Sequence, residues 1–223
     1  ADNGIPDAMF QCGLIYQHGD GIEMNKPEAV QYYMKAGDNG HSYGMYFCGL
    51  MLFYGDGVEV DKLKGFRYLN KAAEHGISDA MVKCGLILQH GDGVKINKKE
   101  AARLYKMAIE NNEYDPLLYY GLMLQYGEGI EVNKKKAICC FKDAIKHENS
   151  DAMVSYGLML QHGDGVEMNK KEAIRYFMDA IEYGNSEAMI NYGLMLQNGE
   201  GVEINKIKAF KYFNMAGNKG NSR

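Results

Sequence analysis

Apolar residues recur along this chain in two alternating helical stripes. In the stretch 151–162, small or apolar side chains fall at Ala152, Met153, Tyr156, Gly157 and Leu160, the spacing of one helix face. A second stripe follows after a short polar interval: Ala173, Ile174, Tyr176, Phe177, Ala180 and Ile181. Between them stands Gly163-Asp164-Gly165-Val166, whose first glycine suits the left-handed end of a helix. The second stripe begins at Asn169-Lys170-Lys171-Glu172, which has the form of a capping box, with Asn as N-cap and Glu three residues later. Asn25 with Glu28 and Asn97 with Glu100 repeat it, whereas Asp61 keeps the cap and Lys64 loses the Glu. Ser78, Ser150 and Ser186 are the expected caps of the first helix, with Asp115-Pro116 serving in the fourth unit. The pattern predicts two antiparallel helices, A and B, joined by loops too short for other structure.

The block recurs six times without insertion or deletion, 36 residues separating each marker glycine (Gly19, Gly55, Gly91, Gly127, Gly163, Gly199) from the next. A unit of this length cannot bury its apolar face alone, so neighbours must stack on it. The predicted fold is all-α: a right-handed α–α superhelix (solenoid) of about six 36-residue helix-turn-helix repeats, one array over residues 1–223. Ala1-Asp2-Asn3-Gly4 parallels Gly37-Asp38-Asn39-Gly40, and Gly220-Asn221-Ser222 parallels Gly184-Asn185-Ser186. Both ends therefore fall in mid-repeat, which predicts a longer parent protein.

Gly13, Gly49, Gly85, Gly121, Gly157 and Gly193 stand inside helix A, where each costs about 1 kcal/mol relative to Ala. Close helix approach is the expected compensation. Helix B side chains such as Tyr32, Tyr68, Tyr176 or Tyr212 would lie over the gap, with Ala29, Ala101, Ala137, Ala173 and Ala209 allowing tight packing.

Net charge is −4, which disfavours nucleic acid as partner, since phosphate neutralisation needs a basic stripe. No apolar run is long enough to span a membrane. Five cysteines, no threonine and no Asn-x-Ser site argue against a disulfide framework or N-glycosylation and predict a cytoplasmic setting.

Cys12-Gly13-Leu14-Ile15-Tyr16-Gln17-His18-Gly19-Asp20-Gly21-Ile22, followed by Asn25, Ala29, Tyr32, Tyr33, Lys35 and Ala36, closely resembles the Sel-one-like repeat, a relative of the tetratricopeptide repeats. The resemblance extends over essentially the whole chain. It departs where the usual Leu before the glycine is Cys or Tyr, and where the usual Trp of helix B is Tyr, Leu or Cys. It implies an adaptor that scaffolds protein complexes. Some cysteine-rich bacterial relatives are linked to β-lactam binding or hydrolysis, but they carry a disulfide in each repeat. A hydrolase is therefore the weakest reading here.

The acids of the glycine loops (Asp20, Asp56, Asp92, Glu128, Asp164, Glu200) are too few per loop for calcium and read as solvated. His18, His90 and His162 lie two repeats apart, too far to share a metal. No metal and no cofactor is expected. Cys12, Cys48 and Cys84 share a column with Tyr120, Tyr156 and Tyr192 and read as core. Of Cys139 and Cys140, one is expected exposed and one buried. Lys26, Lys62, Lys98, Lys134, Lys170 and Lys206, with Glu three residues before five of them, read as a mixed-charge edge.

One helix A column varies freely: Gln11, Phe47, Lys83, Tyr119, Ser155 and Asn191. Phe47, Lys83, Tyr119, Ser155 and Asn191, with His18, Tyr54, His90, Tyr126 and His162, are the expected partner-binding residues on a concave face. The second unit adds Tyr43, Tyr46 and Phe53, either a recognition surface or a local core adjustment. The function expected is a non-catalytic scaffold for a protein or peptide partner. The alternative is a spacer or lattice component of a larger assembly.

Overall fold

The computed structural model describes residues 4–220, so the end residues that set the mid-repeat phase, 1–3 and 221–223, lie outside the described residues. Among the described residues there are twelve helices and no strand. The A helices are α1 (Gly4–His18), α3 (Ser42–Tyr54), α5 (Ser78–His90), α7 (Pro116–Tyr126), α9 (Ser150–His162) and α11 (Ser186–Asn198). The B helices are α2 (Lys26–Asp38), α4 (Lys62–Glu74), α6 (Lys98–Glu110), α8 (Lys134–Lys146), α10 (Lys170–Glu182) and α12 (Lys206–Gly220). This is the all-α repeat fold that the periodicity predicts. Two compact units divide at Glu113 and Tyr114, with α1–α6 in the first and α7–α12 in the second. Each A helix packs on its own B helix, and within a unit each B helix packs on the next A helix.

The loop between A and B is closed by the same bonds in every repeat. The first loop glycine caps helix A in the left-handed conformation, as at Gly163 with φ 70°. The N-cap of helix B accepts from the backbone N–H three residues on, as Asn169 does from Glu172 at 3.1 Å. Only half of the expected capping box forms. The N-cap's own N–H donates back to helix A, Asn25 to the Tyr16 carbonyl at 2.8 Å and Asn169 to that of Leu160 at 2.8 Å, rather than to the Glu side chain. The backbone group that a capping box would satisfy is already taken by the loop closure.

The caps of helix A are displaced by one residue from expectation. Asn149 and Asn185, not Ser150 and Ser186, accept from Ala152 N–H and Ala188 N–H, and Ile77 rather than Ser78 occupies the fifth helix's cap with no side-chain bond. Each serine sits at the first helical position, where Ser78 and Ser150 accept instead from Asn111 and Asn185 of the following repeat boundary at 3.2 Å. Asp115 occupies the cap of α7 without a side-chain bond, followed by Pro116 in the first turn.

The glycines inside helix A are covered from helix B, but by the residue after the tyrosines expected. Tyr33, Leu69, Tyr105, Phe141, Phe177 and Phe213 lie over Gly13, Gly49, Gly85, Gly121, Gly157 and Gly193, and a Cβ at those glycines would come within 2.5–2.8 Å of them. The phase follows from the buried alanines: Ala29, Tyr33 and Ala36 are fully buried at i, i+4 and i+7, so position 33 faces helix A. Tyr32 instead stacks on Tyr16 at 5.5 Å, and Tyr176 meets Tyr156 edge-on at 5.0 Å. Cys48 and Cys84 are fully buried, as their column predicts, and burial pushes both thiols up to about 12. Cys12 is half-buried, as is Cys140, while Cys139 is exposed.

A glutamine column responds to this covering residue. Tyr33 donates to Gln17 Oε1 at 2.5 Å and Tyr105 to Gln89 Oε1 at 2.8 Å. Phe177 has no hydroxyl, and Gln161 Oε1 is buried without a hydrogen-bond partner. Phe177→Tyr should supply that donor and stabilise the protein by about 1 kcal/mol in a denaturant melt; an unchanged midpoint would contradict this. In the second repeat Phe53 replaces the glutamine, Leu69 replaces the tyrosine, and Phe53 is buried. Phe53 is thus a core adjustment and not part of a recognition surface.

The glycine-loop acids are not simply solvated, and the lysine line does not pair with the glutamates three residues before it. Within the units, four lysines of the line reach the acid 30 residues later. Lys26 meets Asp56 at 2.6 Å, Lys62 meets Asp92, Lys134 meets Asp164, and Lys170 meets Glu200 at 2.9 Å. Gln125 adds a bond to Asp164 at 3.0 Å. The lysine stem lies on the second loop glycine: a Cβ on Gly57 would be 2.2 Å from Lys26 Cβ, and one on Gly165 2.5 Å from Lys134 Cβ. The motif is a latch between successive repeats. The Lys134 ammonium and Gln125 amide hold the Asp164 carboxyl below its usual 3.8. A lowered folded-state pKa gives stability that is present above the usual value and lost as pH falls through the lowered one. Asp164→Asn should therefore lower the melting temperature at neutral pH, with the gap to wild type closing as pH falls below the ordinary carboxylate range and through the lowered value. A gap independent of pH would contradict it.

Candidate partner-binding surface

Helix A has one face left over after packing. In α9 its buried side carries Ala152, Met153, Tyr156, Gly157, Met159 and Leu160. The opposite stripe carries Asp151, Ser155, Leu158 and His162, at helical spacing of four, three and four residues. The same stripe occurs on every A helix, and the expected residues all lie on it. In the first unit His18, Tyr54 and His90 are exposed, and Phe47 and Lys83 are half-buried. In the second, Tyr126 and His162 are exposed, and Tyr119, Ser155 and Asn191 are half-buried.

The structure groups these residues unevenly. Phe47 belongs to an aromatic cluster of the first unit, with Tyr33 at 5.5 Å, Tyr46 at 5.5 Å and Phe10 at 5.8 Å between ring centroids. Phe10 also stacks on His41 at 4.4 Å. Tyr43 and Tyr54 leave 52% and 61% of their surface exposed, so the aromatic second repeat divides between packing and accessible surface.

In the second unit, Tyr126 and Ser155 come together in a groove of about 350 Å³, with Leu118, Leu122, Gln125, Asp151, Leu158 and Glu187. Tyr119, His162 and Asn191 do not line it. The volume lies within the range of small-ligand and side-chain pockets. Leu118 is buried, Leu122 and Leu158 half-buried, and Asp151 and Glu187 exposed.

Two elements of this surface were missed by the sequence reading. Leu14, Leu50, Leu86, Leu122, Leu158 and Leu194 repeat without change, and constancy alone does not set them apart from core positions. Their position, three residues after the varied column and four before the His/Tyr column, places them on the open stripe; Leu194 is 43% exposed. Asp151 and Glu187, in the first turns of α9 and α11, form the acidic rim. Among the described residues, no three His, Cys, Asp or Glu side chains group closely enough to hold a metal ion. No helix among them is long and apolar enough to cross a membrane.

Comparison with known proteins agrees with this architecture. A family model described as Sel1 repeat matches residues 6–41, 42–77, 78–113, 117–147, 150–177 and 186–221. The structure of c5321, a protective antigen of uropathogenic Escherichia coli with an SLR fold, is similar at 26% identity and a TM-score of 0.83, over 98% of this chain. This chain spans only 47% of that one. A Sel1 repeat protein from Oxalobacter formigenes is similar at 25% identity and a TM-score of 0.80, over 95% of this chain and 84% of its own. A Sel1 repeat protein of Klebsiella pneumoniae subsp. pneumoniae shares the fold at 20% identity and a TM-score of 0.54, over 86% of this chain and 94% of its own. No curated protein sequence matches the chain.

Proposed function

The chain belongs to the Sel1 repeat family, and from that premise we propose that it is a non-catalytic scaffold holding a protein or peptide partner on the open stripe of its A helices. Sel1 repeat proteins are in general protein-interaction scaffolds, and their fold is typically non-catalytic. The carrying observation is the contrast between two sides of one helix. The packed side repeats the same small and apolar residues, while the open side changes at Phe47, Lys83, Tyr119, Ser155 and Asn191, all of them partly accessible. Packing explains the constant side; a particular partner explains the varied one. Exposed Tyr54 and Tyr126 are the strongest anchors, since aromatic side chains dominate binding hot spots. The unpaired cysteines suit a cytoplasmic setting.

Alanine at Tyr54, Lys83, His90, Tyr126 and His162 tests the proposal by affinity capture. Truncating an anchor is expected to weaken the partner by about 2 kcal/mol. Recovery of the same partner, unchanged across all five variants, would sink the surface and favour a spacer that makes its contacts elsewhere.

A further inference from the structure

We propose that the groove of the second unit binds a peptide carrying an aliphatic or aromatic side chain close to a lysine or arginine. This rests on the reading of the A-helix stripe as the partner surface and names the chemistry of the partner at one point of it.

Three observations carry it. First, the groove is open because of one residue. The varied column holds Phe47, Lys83 and Tyr119 in other repeats but Ser155 here, and Ser155 Oγ turns back onto its own helix, donating to the Asp151 carbonyl at 2.9 Å. Second, the floor is apolar. Leu118, Leu122 and Leu158 form it, Tyr126 stands exposed at its side, and the one amide there, Gln125, spends its Nε2 on Asp164. An apolar side chain fits that floor, and a polar one would lose hydration without replacement.

Third, the rim has one sign of charge. None of α7, α9 and α11 contains a lysine or arginine; the cations of this unit's helices all stand on α8, α10 and α12. Asp151 and Glu187 are exposed at the groove. Asp151 Oδ1 accepts from Asn185 Nδ2 at 2.6 Å, and its second oxygen has no such bond among the described residues. Glu187 has no ion pair among the described residues. Two carboxylates beside an apolar floor attract a cationic group and repel an acidic segment.

Fluorescence anisotropy on the full chain tests this with short labelled peptides in three matched series. One places Lys or Arg near Leu or Phe, one replaces the basic residue by Glu, and one replaces the apolar residue by Ser. Only the first should bind, more weakly as salt rises. Ser155→Tyr, which installs the residue found at Tyr119, and the Asp151→Asn/Glu187→Gln double variant should each weaken it about tenfold or more. Far-ultraviolet circular dichroism melts establish that both variants fold. Equal binding of the Glu series, unchanged affinity of both variants, or no binding of the first series would overturn the inference. If the cellular partner is nevertheless lost on truncation of Tyr54 or Tyr126, the A-helix surface stands and only its assigned chemistry fails.

Discussion

Gly157→Leu is expected to destabilise the protein by about 3 kcal/mol or more, at the upper end of overpacking costs. Gly157 sits inside α9 with the Phe177 ring across it, and even a Cβ would lie 2.7 Å from Phe177 Cε1. Phe177 is fully buried and has nowhere to retreat. The six such glycines forgo about 1 kcal/mol of helix propensity each, so the contact they permit must return more than that. A leucine would push α9 and α10 apart and loosen the contact that the next repeat stacks upon. The melting temperature should fall by roughly 6–12 °C for a chain of this size. An unchanged melting temperature would refute the close-approach account.

The second large effect is expected at the latch. Gly165→Ala should cost about 2–3 kcal/mol, from two causes that a control separates. One is backbone strain: φ at Gly165 is +73°, where an L side chain pays about 1–2 kcal/mol. The other is collision with the Lys134 stem, 2.5 Å from the added Cβ. Gly21 has the same conformation, φ +75°, but no described atom within 4 Å of its would-be Cβ. Gly21→Ala should therefore show the strain alone, about 1–2 kcal/mol. Equal losses at the two sites, measured by denaturant titration, would show that the lysine stem adds nothing to the joint between repeats.

Most of the fold was legible because its signals are local. The left-handed cap at Gly163, the N-cap at Asn169 and the apolar faces of both helices lie within a few residues of their partners. The errors arose where the partner is distant or one residue away. Asp164 looked solvated because its lysine stands 30 residues earlier, in the preceding repeat. Tyr176 and Phe177 are both large, and only the buried alanines fix which of them faces helix A. Asn149 and Ser150 both suit a cap, and which one takes it depends on where the preceding turn ends.

The candidate surface was half legible. Variation in a column marked the open stripe, but the same test hid the leucine ladder, since a constant residue reads as core. The groove was beyond reach of the pattern. It exists because a small side chain at Ser155 coincides with Leu118 and Leu122 of the neighbouring A helix, a coincidence of size across 36 residues.

Site-specific photocrosslinking tests the central claim most directly. A photoreactive residue is placed in turn at Tyr126 and His90 on the open A stripe, and at Arg67 and Arg175, exposed on the B helices. Partner adducts from Tyr126 and His90, with none from Arg67 and Arg175, are the predicted result. Adducts from the B-helix positions alone would contradict it.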